Sequence, residues 1–134
     1  MNRWNEVDFA NKNVGFGTSG TQEELILGTS PKTCFIVLFN KVLETNEAVM
    51  ITGAKRYGDY SGYGQHARFV GASSQNWNWN ERKIVAIDAI CGPSRQLSDN
   101  TFDRELCKAW TGFQALKVSK HNYIFPKNMI MIIL

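Results

Sequence analysis

Runs of consecutive apolar residues alternate along this chain with segments in which apolar residues recur every three or four positions. Residues 48–51, which Gly53 follows, and residues 84–87, which Asp88 follows, are typical of strands buried on both faces. Residues 7–10 predict a further, partly buried strand. Strands of this kind in alternation with amphipathic helices predict an α/β fold whose sheet is covered on both faces.

The segments with helical periodicity predict three helices. A short helix over residues 22–27 would follow Thr21 or Ser19 as its N-cap. Ser30-Pro31 favours a second helix start, and we expect the core side of that helix to consist of Phe35, Leu38, Phe39, Val42 and Leu43. A third helix begins near Asp99, and its apolar face consists of Phe102, Leu106, Ala109, Trp110 and Phe113.

The composition fits one globular domain. The chain has 134 residues, of which 43% are apolar and 20% charged, so it can bury a core and disorder is not indicated. Its formal net charge is +3, but no run of five Lys or Arg occurs, so direct DNA binding is not expected. The longest apolar runs, residues 34–39 and 129–134, are too short to span a bilayer, and no membrane partner is expected.

The three cysteines, Cys34, Cys91 and Cys107, are widely spaced. Their odd number and the lack of a C-x-x-C pair argue against a disulfide framework and against a zinc site. The sequence therefore predicts a reducing compartment and no zinc site. Nothing else in the sequence predicts a metal or a cofactor.

Gln22-Glu23-Glu24 follows a glycine-rich stretch, residues 15–20. Adjacent side chains diverge by about 100° on a helix, so Glu23 and Glu24 cannot flank one bond as the paired carboxylates of ordinary glycosidases do. One could contact the reacting centre while the other orients a hydroxyl group. An acidic first helical turn is the alternative. The glycine stretch could likewise cradle phosphate or form a plain tight turn, and the tyrosines of residues 57–63 could stack on an adenine or pack locally.

Several motifs occur together in a fixed order. Residues 7–11 read Val-Asp-Phe-Ala-Asn, residues 15–17 read Gly-Phe-Gly, and Gln-Glu-Glu follows at 22–24. Further matches lie at residues 57–63, 84–89 and 104–113. From residue 6 to residue 114 this series resembles the poly(ADP-ribose) glycohydrolase family.

The resemblance implies an α/β, macrodomain-like mixed sheet flanked by helices, incomplete relative to the family. The implied reaction is hydrolysis of ribose–ribose O-glycosidic bonds in poly(ADP-ribose), which releases ADP-ribose. Glu24 would protonate the leaving ribose oxygen and then activate water, Glu23 would hold ribose hydroxyls, and Asp8 would support the site. The implied substrate-binding residues are Asn11 and Gln22 at the distal ribose, Tyr63 near the adenine, and Gly15 and Gly17 at the phosphates.

The implied partners are poly(ADP-ribose) or ADP-ribosylated proteins, and the implied setting is the DNA damage response in the nucleus, the cytoplasm or both. Relative to the family pattern, Phe16 replaces the middle glycine, the spacer 18–21 is short, and no second glycine-rich loop follows residue 113. We therefore expect a partial catalytic domain over residues 1–116 and a divergent tail over 117–134. Residues 129–134 could be a buried strand, an exposed apolar end, or a translated intron or frameshifted segment.

Two alternatives to turnover remain open at the level of the sequence. The chain could be a weak or inactive ADP-ribose-binding module. It could also be a structural interaction domain in which Glu23 and Glu24 only cap a helix.

Overall fold

A computed structural model describes residues 5–18, 20–39, 42–90, 92, 95, 98–117 and 129–133. The described strands are β1 (Asn5–Ala10), β2 (Ala48–Thr52), β3 (Gly58–Ser61), β4 (Arg68–Ala72), β5 (Lys83–Asp88) and β6 (Met129–Ile133). Among the described residues, the α-helices with defined bounds are α1 (Gln22–Thr29) and α2 (Asp99–Lys117). Three described segments are 3₁₀-helical: Pro31–Phe39, Gly64–His66 and Trp79–Glu81.

The main sheet has the strand order β1-β5-β2-β6. β5 pairs parallel with β1 and antiparallel with β2, and β2 pairs parallel with β6. β3 and β4 form a separate antiparallel pair. The predicted α/β fold with a mixed sheet flanked by helices is confirmed.

Successive side chains of β2 and β5 alternate between two cores, so both faces of the sheet are covered. Ile84 and Ala86 pack into a core that also contains Ile26 of α1 and Ile36. Val85 and Ile87 belong to the opposite core, with Leu116 of α2 packed against it. The unbroken apolar runs thus reflect strands that are buried on two sides.

The predicted core stripe that begins at Phe35 is wrong. Residues 31–39 form a 3₁₀ helix, in which residues three apart share a face. Thr33 and Ile36 are buried on the inner face, whereas Phe35 and Leu38 lie on the outer face and are exposed. The stripe also included Val42, which is exposed, and Leu43, which is buried. The side chain of Phe39 lies outside the described structure.

The third helix is confirmed as α2, but its apolar face points away from the sheet. Four large side chains of the predicted face are exposed: Phe102, Leu106, Trp110 and Phe113. The opposite side of α2 faces the sheet through Lys108, Thr111 and Gly112. A Cβ added at Gly112 would lie 2.9 Å from Ile87 and 3.0 Å from Val85, so the small residue allows the helix to approach closely. Lys108 is satisfied there by the carbonyl oxygens of Glu44 and Glu47.

Residues 129–133 form β6, in which Met131 pairs with Met50 of β2. This matches the strand interpretation of that segment. The proposed boundary between residues 116 and 117 stays a prediction, since residues 118–128 and 134 lie outside the described structure. None of the described helices is long and apolar enough to cross a membrane.

Candidate active site

A cleft of about 570 Å³ opens where β1 and β5 end and α1 begins. Ligands in α/β sheets commonly bind beyond the carboxyl ends of the strands, and this cleft lies there. Of the predicted site residues it brings together Asn11, Gly15, Gly17, Glu23, Glu24 and Tyr63. Ala89 and Ile90, directly after β5, complete its far wall.

The Glu23 carboxylate is held by the backbone that follows β1. Its Oε1 accepts the N–H of Gly15 at 2.8 Å and its Oε2 accepts the N–H of Asn11 at 3.1 Å. Only 5% of Glu23 is exposed. Burial raises the pKa of this carboxyl, and although the two N–H donors favour its ionised form, the net pKa stays above the ordinary value. Glu23 is therefore a fixed acceptor at the floor of the cleft.

The Glu24 carboxylate lies at the start of α1 and accepts hydrogen bonds from the loop before it. Oε2 accepts the N–H of Thr21 at 2.7 Å and the Thr21 hydroxyl, and Oε1 accepts the N–H of Gly17 at 3.0 Å. Burial alone would raise its pKa, but these donors outweigh burial and the pKa is lowered. This is the glutamate half of a capping box. A Cβ at Gly17 would overlap Glu24 Oε1, so a side chain there would displace the Glu24 carboxylate from this position.

Asp8 lies behind Glu23 and does not line the cleft. It is fully buried in the middle of β1, opposite Ala86, and neither carboxyl oxygen has a hydrogen-bond partner among the described residues. Burial, with the nearby charges of Glu23 and Glu6 as further causes, raises its pKa to about 8. At pH 7 Asp8 is therefore mostly a neutral acid beneath the site.

The side chain of Gln22 is hydrogen-bonded to the backbone of β1, the edge strand of the described sheet. Its Nε2 donates to the carbonyl of Val7 at 3.1 Å, and its Oε1 accepts the N–H of Phe9 at 3.3 Å. The side chain of Asn11 accepts the N–H of Asn13 at 3.2 Å. Both amides are engaged in local structure here, and their contact with a distal ribose stays a prediction.

Tyr63 stands on the wall between the main cleft and a second one. The second cleft has a volume of about 380 Å³, and Phe9, Thr21 and Tyr63 line both. Tyr63 is 62% exposed, so its ring is accessible to a ligand. Its stacking near an adenine stays a prediction.

Phe9 and Thr21 are among the residues of the cleft that sequence reasoning did not assign to the site. Phe9 is 59% exposed between buried Asp8 and Ala10, as strand alternation would have indicated. Thr21 was expected only as an N-cap, although the spacing Thr21-x-x-Glu24 is that of a capping box and predicts their contact. No group of three or more potential metal ligands occurs among the residues that the structure describes.

Gly20 joins the two loops of the site, because its carbonyl accepts the N–H of Gly64 at 2.9 Å. Its φ is +62°, and a Cβ there would lie 2.8 Å from the Gly64 carbonyl oxygen. We expect Gly20→Ala to lower the free energy of unfolding by about 1–3 kcal/mol in urea denaturation. The matched control is Gly28→Ala within α1, where a Cβ meets nothing within 4 Å and alanine should stabilise by about 0.5–1 kcal/mol. Equal effects of the two substitutions would contradict this role of Gly20.

Comparisons with known proteins point to one family. The family described as poly(ADP-ribose) glycohydrolase (PARG), macro domain fold, matches residues 2–130. Poly(ADP-ribose) glycohydrolase 1 of Arabidopsis thaliana is 37% identical over 90% of this chain and 24% of its own length. Poly(ADP-ribose) glycohydrolase 2 of Caenorhabditis elegans is 30% identical over 81% of this chain and 27% of its own length.

The chain thus spans about a quarter of the length of these curated relatives. The match includes the strand, the glycine-rich loop and the helix start that form the cleft. Together with the mixed α/β sheet, it shows that the chain belongs to the poly(ADP-ribose) glycohydrolase family with the macro domain fold.

Proposed function

We propose that this chain is a glycosidase that hydrolyses the ribose–ribose O-glycosidic bonds of poly(ADP-ribose) and releases ADP-ribose. The observation that carries the proposal is the cleft at the strand ends, where Glu23 and Glu24 meet a glycine-rich loop in a chain of this family. Its volume of about 570 Å³ is in the range of small-molecule sites.

In this proposal Glu24 is the general acid and base. Protonated Glu24 gives its proton to the leaving ribose oxygen as the glycosidic bond breaks, and positive charge develops on the other ribose. The Glu24 carboxylate then takes a proton from the water that attacks that ribose carbon, which restores the acid. Glu23, fixed by Gly15 and Asn11, accepts ribose hydroxyls and stabilises the developing charge.

The hydrogen bonds of Glu24 set a requirement for this reaction. Thr21 and Gly17 favour the ionised carboxylate, whereas the first step needs the proton. Bound substrate must therefore displace some of the hydrogen bonds that Glu24 accepts. The leaving ribose oxygen would then lie beside the Glu24 carboxyl in the place of a backbone N–H. Hydrogen bonds that rearrange on substrate binding are common at catalytic groups.

Thr21→Val tests this requirement, because it removes the hydroxyl donor to Glu24 and keeps the backbone N–H. The loss raises the pKa of Glu24, so the protonated form persists to higher pH. We expect the descending limb of the kcat/KM profile for ADP-ribose release to move to higher pH. Thr33→Val, at a buried hydroxyl that donates to Ser30 and lies outside the cleft, should leave the profile in place. An unshifted profile in Thr21→Val would argue against Glu24 as the acid.

A second candidate function is binding of ADP-ribose without turnover. It is favoured by the two oxygens of Glu24, both engaged with the loop, and by the ring of Phe16 on the cleft wall. Titration calorimetry with ADP-ribose distinguishes it from catalysis: binding by a chain that releases no product supports this second function. The absence of both binding and product would leave Glu23 and Glu24 with a structural role only.

The proposed substrates are free poly(ADP-ribose) and ADP-ribosylated proteins, met in the nucleus or the cytoplasm during the response to DNA damage. Cys34 and Cys107 are free thiols, which is consistent with a reducing compartment.

A further inference from the structure

Phe16 places a large apolar side chain on the wall of the main cleft. It is 52% exposed, so packing within the described structure does not account for its presence there. Its two neighbours in the chain hold the carboxylates of the site. The N–H of Gly15 donates to Glu23, and the N–H of Gly17 donates to Glu24. The ring is therefore carried by backbone that is fixed directly at the two glutamates.

The charges of the main cleft leave little to attract a phosphate. The carboxylates of Glu23 and Glu24 line it, and its lining includes no Lys, Arg or His among the described residues. The N–H groups of Gly15 and Gly17 already donate to those carboxylates, so these two donors do not face a phosphate. A nucleotide is therefore attracted to this cleft through its base and its riboses.

Aromatic faces are the groups of the cleft that attract a base. Phe9, Phe16 and Tyr63 line it and are 59%, 52% and 62% exposed. Stacking on such a ring strengthens the binding of a base by roughly 5- to 150-fold. Phe9 and Tyr63 also line the second cleft, whereas Phe16 does not. The site therefore offers two places for a base, one at the boundary between the clefts and one at Phe16.

The chemistry of the proposed substrate supplies a base on the leaving side of the bond. A ribose–ribose bond of poly(ADP-ribose) joins one unit to the adenine-bearing ribose of the next, so the leaving oxygen belongs to a ribose that carries an adenine. In the proposed function Glu24 gives its proton to that oxygen. Because Gly17, the residue after Phe16, donates to Glu24, the adenine of the leaving ribose comes within reach of the Phe16 ring.

We propose that Phe16 stacks on the adenine of the leaving unit, so that this chain binds two neighbouring ADP-ribose units more tightly than one. The inference rests on the proposed function, because the role of Glu24 decides where the leaving ribose lies. Phe16 is thus a specificity residue for the polymer over free ADP-ribose. The family pattern has a glycine at this position, which has no side chain to make the contact.

The test measures binding in the Glu24→Gln background, in which we expect little hydrolysis. Titration calorimetry gives the affinity for ADP-ribose and for a two-unit oligomer of ADP-ribose. We expect Phe16→Ala to weaken binding of the oligomer by roughly 5- to 50-fold and to change binding of ADP-ribose by less than about twofold. Phe16→Trp keeps a ring and should retain the preference for the oligomer.

Phe35→Ala is the matched control, since Phe35 is 53% exposed but does not belong to the lining of the cleft. It should leave both affinities as they are. Circular dichroism verifies that Phe16→Ala and Phe35→Ala are folded. If Phe16→Ala is not, Phe16→Leu serves in its place, with the same selective weakening expected.

Equal weakening for the two ligands in Phe16→Ala would overturn the proposal, since the ring would then support the whole site and not one base. So would an unchanged affinity for the oligomer, or an oligomer that Glu24→Gln binds no more tightly than ADP-ribose. The proposed function fails separately. A wild-type chain that releases no ADP-ribose, while its preference for the oligomer depends on Phe16, would contradict catalysis and leave the stacking contact in place.

Discussion

The wild-type chain is expected to lose stability steeply as the pH rises from about 4 to about 8, and Asp8→Asn is expected to remove most of that loss. The carboxyl is buried without a partner among the described residues, and its pKa in the folded chain is about 8, against an ordinary value of 3.8. In this interval the unfolded chain releases the proton and the folded chain keeps it. The contribution of Asp8 to stability is therefore fully present below its pKa in the unfolded chain, and it is lost as the pH rises through its pKa in the folded chain.

The expected size follows from about 1.4 kcal/mol for each pKa unit, which gives a total on the order of 5 kcal/mol for Asp8. Asparagine has nearly the same shape and does not titrate, so Asp8→Asn should flatten the curve. Urea denaturation of both proteins from pH 4 to pH 8 measures the difference. Glu23, whose pKa is also raised, contributes a remaining slope of the same sign.

The control for this experiment is Asp103→Asn, at an exposed carboxylate of α2 outside the cleft. It should keep the wild-type dependence on pH. If Asp8→Asn also kept that dependence, Asp8 would be ionised in the folded chain, and the neutral acid assigned beneath the site would be wrong.

Glu24→Gln is expected to lower kcat for ADP-ribose release by about 10²- to 10⁴-fold, the usual contribution of a positioned general acid. The glutamine oxygen can still accept one N–H from Thr21 or Gly17, so the loop and α1 should keep their places. Because the substrate contacts remain, KM should change much less than kcat.

Stopped assays of product from poly(ADP-ribose) give both constants for Glu24→Gln. Asp103→Asn again serves as the control and should retain wild-type rates. A Glu24→Gln variant that raised KM and left kcat intact would assign Glu24 to substrate binding instead of proton transfer.

The sheet and the main features of the cleft could be predicted from the sequence, because they depend on local signals. Residues 48–51 and 84–87 alternate between two cores, and their unbroken apolar runs indicate that directly. The acidic start of α1 after a glycine-rich loop likewise predicts where Glu23 and Glu24 lie.

Helix faces were less predictable, since they depend on packing that periodicity does not specify. Residues 31–39 turn as a 3₁₀ helix, so Phe35 is exposed where an α-helical stripe would bury it. On α2, Gly112 allows a closer approach to the sheet than the large side chains of the opposite face. The side of α2 with the small residue therefore packs on the sheet, whereas the apolar periodicity alone predicts that the side with the large apolar residues does.

The hydrogen bonds of the site could not be read from residue types either. Gln22 closes the edge of β1, and Glu24 is held by Thr21 and Gly17, because the short spacer brings the loop against the start of α1. Asp8 differs from them, since its position in β1 buries it without a hydrogen-bond donor among the described residues. The sequence motif implies a role for each of these residues, but it does not specify whether Asp8 or Glu24 is protonated.

The most direct test of the proposed function is the release of ADP-ribose from purified poly(ADP-ribose), measured by chromatography for the wild-type chain and Glu24→Gln at equal concentration. If Glu24 in the cleft is the catalytic acid, the wild type releases ADP-ribose and Glu24→Gln releases little or none. No product from the wild type, or equal product from both proteins, would contradict it.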